Sequence, residues 1–209
     1  MNKPEIYYLF DPLCGWCYAF SPVINRLYND YNSTADFKVI SGGMVLGEMV
    51  RPIGKISEYI LNTIPRLEEL SGQKMGDPYK QMLKEGTAVY GSERPSIAIE
   101  VVKYLNPEIS FSFVKDMQHQ HFYEGKIMEH DDFYLPLLAK YQLPEKAFFD
   151  RLNSFEFKTS TYDGFRFSNE LGIRGFPSVV GKKNDQYYLL SNGFRDYDSM
   201  KNNVDLFLQ

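Results

Sequence analysis

The chain has 209 residues, 44 % of them hydrophobic and 24 % charged, enough for one sizeable core or a core with a subdomain. With 23 basic and 27 acidic residues the net charge is −4, which argues against nucleic acid or an anionic membrane as the main partner, since both need a basic surface. No apolar run approaches the roughly 18 residues of a membrane span, and residues 1–10 lack the basic, apolar and small-residue order of a targeting segment, so the cytoplasm is the expected location.

Residues 5–10, Glu-Ile-Tyr-Tyr-Leu-Phe, read as a buried first strand. Asp11-Pro12-Leu13 makes a turn, because proline cannot continue a sheet ladder. Cys17, Phe20, Ile24, Leu27, Tyr28 and Tyr31 then recur at helical spacing, with Pro22 expected to kink the axis. A second strand at 36–41 ends at Gly42-Gly43 and completes a βαβ unit, so the two strands should be parallel. From Met44 to Phe157 the pattern is helical: 55–70, 79–85, a helix opened by Pro95, 111–123, one capped by Asp131 or Asp132, and one opened by Pro144. Residues 161–171 form a further helix. Gly175-Phe176-Pro177 leads into a hairpin that turns at Asn184-Asp185, and a final helix follows with Asp196 as its N-cap. The expected architecture is an α/β frame, residues 1–43 and 158–209, interrupted by a helical insertion at 44–157.

The two cysteines lie three positions apart, in Cys14-Gly15-Trp16-Cys17. A structural zinc needs about four ligands and there is no second cysteine pair. His119 and His121 are two apart and point to different sides of a helix, so no metal is expected. A disulfide closing so short a loop constrains the unfolded chain little. The redox reading is favoured. Cys14 falls at or next to a helix start, where free backbone N–H groups and the positive end of the helix dipole favour a thiolate. Cys17, about one turn further in, is the natural resolving thiol. Asp11 has two readings: a proton acceptor for Cys17, or a turn residue holding the strand-to-helix junction through an Asx-type hydrogen bond.

Asp11-Pro12-Leu13-Cys14-Gly15-Trp16-Cys17-Tyr18 together with Phe176-Pro177 resembles the DsbA-like branch of the thioredoxin superfamily, over essentially the whole chain. The resemblance implies a thioredoxin fold with an inserted helical domain, Cys14 as attacking and Cys17 as resolving cysteine, and Pro177 as a cis-proline beside the sulfurs. It departs from the oxidising periplasmic enzyme in having Gly15-Trp16 between the cysteines, and Phe176 is bulkier than the residue usual before the proline. Trp16 and Phe176 would form an apolar lip that, with Gly15, receives substrate. The expected activity is thiol–disulfide exchange on protein or peptide substrates. It needs no bound cofactor, and glutathione or a thioredoxin-type protein would be the redox partner. Two other classes stay open: a glutathione-dependent transferase or isomerase on small molecules, and a non-catalytic adaptor. The pattern carries nothing on oligomeric state.

Overall fold

The computed structural model describes residues 3–209. Strand β1 (Glu5–Phe10) runs into helix α1 (Gly15–Tyr31), which returns the chain to β2 (Asp36–Ser41). The two strands are parallel and in register from Glu5↔Asp36 to Phe10↔Ser41. Strand β5 (Ser178–Lys183) lies antiparallel on the other side of β1, and β6 (Gln186–Asn192) pairs antiparallel with β5, giving the sheet order β2-β1-β5-β6. The β5–β6 turn is made by Asn184 and Asp185, both at positive φ (52° and 59°), the left-handed geometry that two-residue hairpins demand. Helix α9 (Tyr197–Leu208) closes the chain, with Asp196 accepting the Ser199 N–H at 2.9 Å as N-cap.

Alternation along β1 explains why both faces of the sheet are covered. Ile6, Tyr8 and Phe10 join the core beneath α1, where Tyr8 also meets Phe111. Tyr7 and Leu9 point the other way, into a smaller cluster with Val180 and Phe167. Helix α1 continues through Pro22.

Between β2 and β5 stand helices α2 (Ser57–Ser71), α3 (Asp77–Glu85), α4 (Glu93–Leu105), α5 (Ser110–Phe122), α6 (Leu135–Lys140), α7 (Glu145–Leu152) and α8 (Phe155–Glu170). The inserted stretch is helical except for a small ribbon, β3 (Arg51–Pro52) against β4 (Val89–Tyr90), too short to leave a sequence period. Helix α4 starts two residues before Pro95, which falls in its first turn. Neither Asp131 nor Asp132 caps α6; Asp131 instead pairs with Arg94. Helix α8 begins at Phe155, ahead of the expected Thr161, because Ser154 caps it by accepting the Phe157 N–H. It packs on β2 and α4 and so belongs to both the frame and the insertion. One buried cluster joins the two, from Ile6 and Leu27 to Met75, Tyr79 and Phe148.

Candidate active site

The turn after β1 places the dithiol. The Cys14 N–H donates to the Asp11 carbonyl at 3.1 Å, and the Cys14 carbonyl accepts the N–H groups of Cys17 (3.0 Å) and Tyr18 (3.1 Å). Cys14 is therefore the N-cap residue of α1, with extended φ and ψ of −84° and 113°, and its side chain caps nothing. The sulfur is left at the end of a seventeen-residue helix whose first N–H groups have no partner within the helix. Both cysteines are free thiols. Cys14 is 6 % exposed and Cys17 0 %, which makes Cys14 the only one of the two that a substrate can reach. Burial pushes the Cys17 thiol well up, and its contact with Cys14 adds to this. Beneath the pair, the buried Tyr8 hydroxyl donates to the Cys17 carbonyl at 3.4 Å.

On the far side of the sulfurs the chain reaches β5 through Phe176-Pro177, whose peptide bond is cis. The Cys14 thiol donates to the Phe176 carbonyl at 3.5 Å. The Pro177 carbonyl accepts the Gly193 N–H at 2.7 Å, which ties the residue after β6 to the same loop. Residues separated by more than 160 positions thus meet at the nucleophile.

Trp16 and Phe176, the residues of the expected lip, each rest on a further residue. Trp16 leans on Phe194, ring centroids 6.1 Å apart, and Phe194 in turn meets Phe20 edge-on. The Phe176 ring lies over Gly42: a Cβ built there would come within 1.8 Å of the ring. Both rings are half-buried. Gly42 is needed here for space, since its backbone is not in the left-handed region. Gly42→Ala should therefore expel the Phe176 ring and cost about 1–3 kcal/mol by overpacking. Adding Phe176→Ala should restore most of the loss, and denaturant melts of the two single variants and the double variant measure the coupling. Additive losses would mean the ring does not rest on Gly42.

The insertion also reaches the dithiol. A Cβ on Gly15 would meet Met75 Cε at 3.3 Å and Leu67 Cδ1 at 3.6 Å, so the first residue between the cysteines is pressed from α2 and from the connection between α2 and α3. Tyr79, also buried, lies in the field of Cys14; its hydroxyl is pushed up to about 12, by burial first. Sequence reasoning missed Gly42, Met75, Tyr79 and Phe194. Glycine ending a strand and aromatics at helical spacing have ordinary readings, and nothing local names their partners.

Asp11 is fully buried, and its carboxylate accepts three hydrogen bonds: Leu13 N–H (2.9 Å), Met44 N–H (2.6 Å) and Ser92 Oγ–H (2.9 Å). The first is the Asx-type bond of the turn reading. The other two bind the active-site turn to the strap after β2 and to the residue just before α4, where Ser92 Oγ also accepts the Val45 N–H. Burial raises the Asp11 carboxyl, and the three donors pull it back. His121 meets Tyr79 edge-on, ring centroids 5.3 Å apart, its ring nitrogens are engaged by Tyr90 Oη (2.8 Å) and the Lys126 carbonyl (2.7 Å), and burial depresses it to about 4.

A thioredoxin family model matches residues 7–202. Among solved structures, a provisionally assigned protein disulfide isomerase from Nitrosomonas europaea superposes with a TM-score of 0.85 at 25 % identity, covering 100 % of this chain and 98 % of the other. The cytosolic disulfide reductase DsbM from Pseudomonas aeruginosa gives 0.82 at 25 % identity, with 98 % of both chains covered. The oxidoreductase NmDsbA1 from N. meningitidis, at 12 % identity, shares the fold with a TM-score of 0.60 over 99 % of this chain and 82 % of that one. A ClpXP adapter protein, SpxH of Halalkalibacterium halodurans, is 24 % identical over 161 residues, 73 % of this chain; the chain spans half the length of that curated relative. Family model, whole-chain superposition and a dithiol at the head of α1 agree that this chain belongs to the DsbA-like branch of the thioredoxin superfamily and has the build of a thioredoxin-type redox enzyme.

Proposed function

We propose that the protein reduces or isomerises disulfides in protein or peptide substrates, in the cytoplasm, through Cys14 and Cys17. The observation that carries this is the placement of the Cys14 sulfur at the N-terminus of α1, 3.5 Å from the Phe176 carbonyl, with Cys17 buried behind it. The Cys14 thiolate attacks one sulfur of the substrate disulfide and forms a mixed disulfide, and the other sulfur leaves as a thiolate. Cys17 then gives up its proton and attacks the Cys14 sulfur. The second substrate sulfur leaves, and the Cys14–Cys17 disulfide carries away the oxidising equivalents. Two glutathione molecules, or the dithiol of a thioredoxin-type protein, return it to the reduced form, with glutathione disulfide or the partner's disulfide as product. Phe176 and Pro177 offer backbone against which an extended substrate segment lies. Likeness to a cytosolic disulfide reductase, also solved with glutathione, favours the reducing direction and this recharging thiol.

The test is an equilibrium titration against glutathione buffers, scored by mass of the alkylated protein, together with insulin reduction driven by glutathione. A Cys14–Cys17 potential of about −180 to −260 mV, with turnover, is the expected result: at or above the poise of the glutathione pool the pair is held largely reduced, and well below the roughly −120 mV of a strong oxidant it still passes electrons to substrate disulfides. A much higher potential would make the protein an oxidant. The likeness to a ClpXP adapter favours one second reading, a protein-binding adaptor, which predicts partner binding that survives loss of both thiols and no turnover of any disulfide.

A further inference from the structure

Strand β1 carries one polar side chain, Tyr8, into the core directly beneath the buried cysteine. Tyr8 is 1 % exposed, and its hydroxyl donates to the Cys17 carbonyl at 3.4 Å. That is long for an O–H···O bond, whose usual length is about 2.7–2.8 Å. The carbonyl also already serves the hydrogen-bond ladder of α1. The ring itself is firmly held. It stacks on Phe10, centroids 5.0 Å apart, and on Phe111 at 6.3 Å, and it meets Phe20 at 5.9 Å. Packing on three sides fixes the ring, while the O–H still rotates about its C–O bond. A buried hydroxyl with one long bond is an underused donor. The other acceptor within its reach is the sulfur of the same Cys17.

Resolution needs Cys17 as a thiolate, and burial opposes that charge. The neighbouring titratable groups Cys14 and Asp11 oppose it further when ionised, and only the Asp11 backbone N–H favours it. The Asp11 carboxylate is itself taken up by Leu13, Met44 and Ser92. Once Cys14 is bound in a mixed disulfide its charge is gone, and a second donor then governs how readily Cys17 ionises. Tyr8 can serve only as a donor. Burial first, then the charges of Cys17 and Cys14, push its hydroxyl well above the ordinary range, so it keeps its proton. We propose that the Tyr8 hydroxyl turns from the Cys17 carbonyl to the Cys17 sulfur as that sulfur ionises, and so holds the resolving thiolate ready to attack Cys14. A hydrogen bond to an ionised acceptor is about twice as strong as a neutral one, and stronger still in a dry site. This rests on the exchange reading above. In the step itself the Cys17 thiolate bonds to the Cys14 sulfur. The bond from Cys14 to the substrate breaks, and its electron pair leaves on the substrate sulfur. The proton lost by Cys17 passes through solvent to that leaving sulfur. Tyr8 gives up no proton and acts as a positioning residue.

The test times resolution alone. In mild acid, methyl methanethiosulfonate couples a methylthio group to the reachable Cys14 while Cys17 stays protonated. A jump to higher pH starts the attack by Cys17, and acid-quenched samples are read by intact mass for loss of that group. In the wild type the rate should climb with pH to a plateau whose midpoint reports Cys17. Tyr8→Phe keeps the ring and removes the donor. It should move the midpoint up by about one to two pH units. At neutral pH it should slow resolution by about three- to tenfold, since the fall in thiolate is partly offset by the greater nucleophilicity of a more basic sulfur. Coupling of Cys14 to the reagent should be unchanged. The second arm places 3-fluorotyrosine at position 8, a stronger donor, which should move the midpoint down; it decides the matter should Tyr8→Phe fail to fold. A midpoint that neither replacement moves overturns the proposal, even if the rate falls equally at every pH, because Tyr8 then only packs. Disulfide exchange would survive that result. A wild-type protein that keeps the methylthio group at every pH removes the exchange reading and this proposal with it.

Discussion

Cys14→Ser should lower disulfide turnover by about a thousandfold or more, since it removes the attacking sulfur itself. Cys17 is no substitute: it is 0 % exposed and burial holds its thiol protonated far above the usual range. Cys17→Ser should behave in the opposite way. Attack survives, resolution does not, and the variant accumulates a mixed disulfide with substrate that non-reducing gels and intact mass reveal. In the wild type a small alkylating reagent should label Cys14 first. The sign of the pH dependence follows from the same shift. Cys17 is the raised group, so resolution should accelerate as pH rises toward its value, while attack by Cys14 is measured separately in the Cys17→Ser variant. Equal trapping by both single variants would mean the two cysteines do not divide attack and resolution as their burial suggests.

Asp11→Ala should destabilise the fold by about 3–5 kcal/mol, because the Leu13 and Met44 N–H groups and the Ser92 hydroxyl lose their acceptor at a buried site, at about 1–3 kcal/mol for each group left unpaired. Asp11→Asn keeps one carbonyl oxygen for those donors and should lose less. The pair of variants separates the two readings of this residue. As a junction clamp, Asp11 governs the melting midpoint, and Asp11→Asn should resolve the mixed disulfide at close to the wild-type rate. As a proton acceptor for Cys17, it governs resolution, and Asp11→Asn would accumulate the mixed disulfide even where the fold is intact. The three satisfied bonds, each to a different segment, favour the clamp.

Features that depend on near neighbours are legible in the chain. The spacing of Cys14 and Cys17 before a helical period places both on the first turn of α1, one at its cap and one inside. Gly42-Gly43 marks the end of β2, Asn184-Asp185 the hairpin turn, and Asp196 the start of α9, each through a backbone or capping requirement met within a few residues. The tertiary structure alone decided what stands around the sulfurs. The sequence tells that Trp16 and Phe176 are large and apolar, but not that one leans on Phe194 and the other fills the space left by Gly42. It tells that Met75 is apolar, but not that it presses on Gly15. Asp11 shows its turn bond to Leu13 in the sequence, two residues away, and conceals its bonds to Met44 and Ser92, 33 and 81 positions away. Burial is a property of one side chain and leaves a trace in the local pattern. A partner across the fold is set by how helices and sheet pack as whole bodies, and no short window of residues carries that information.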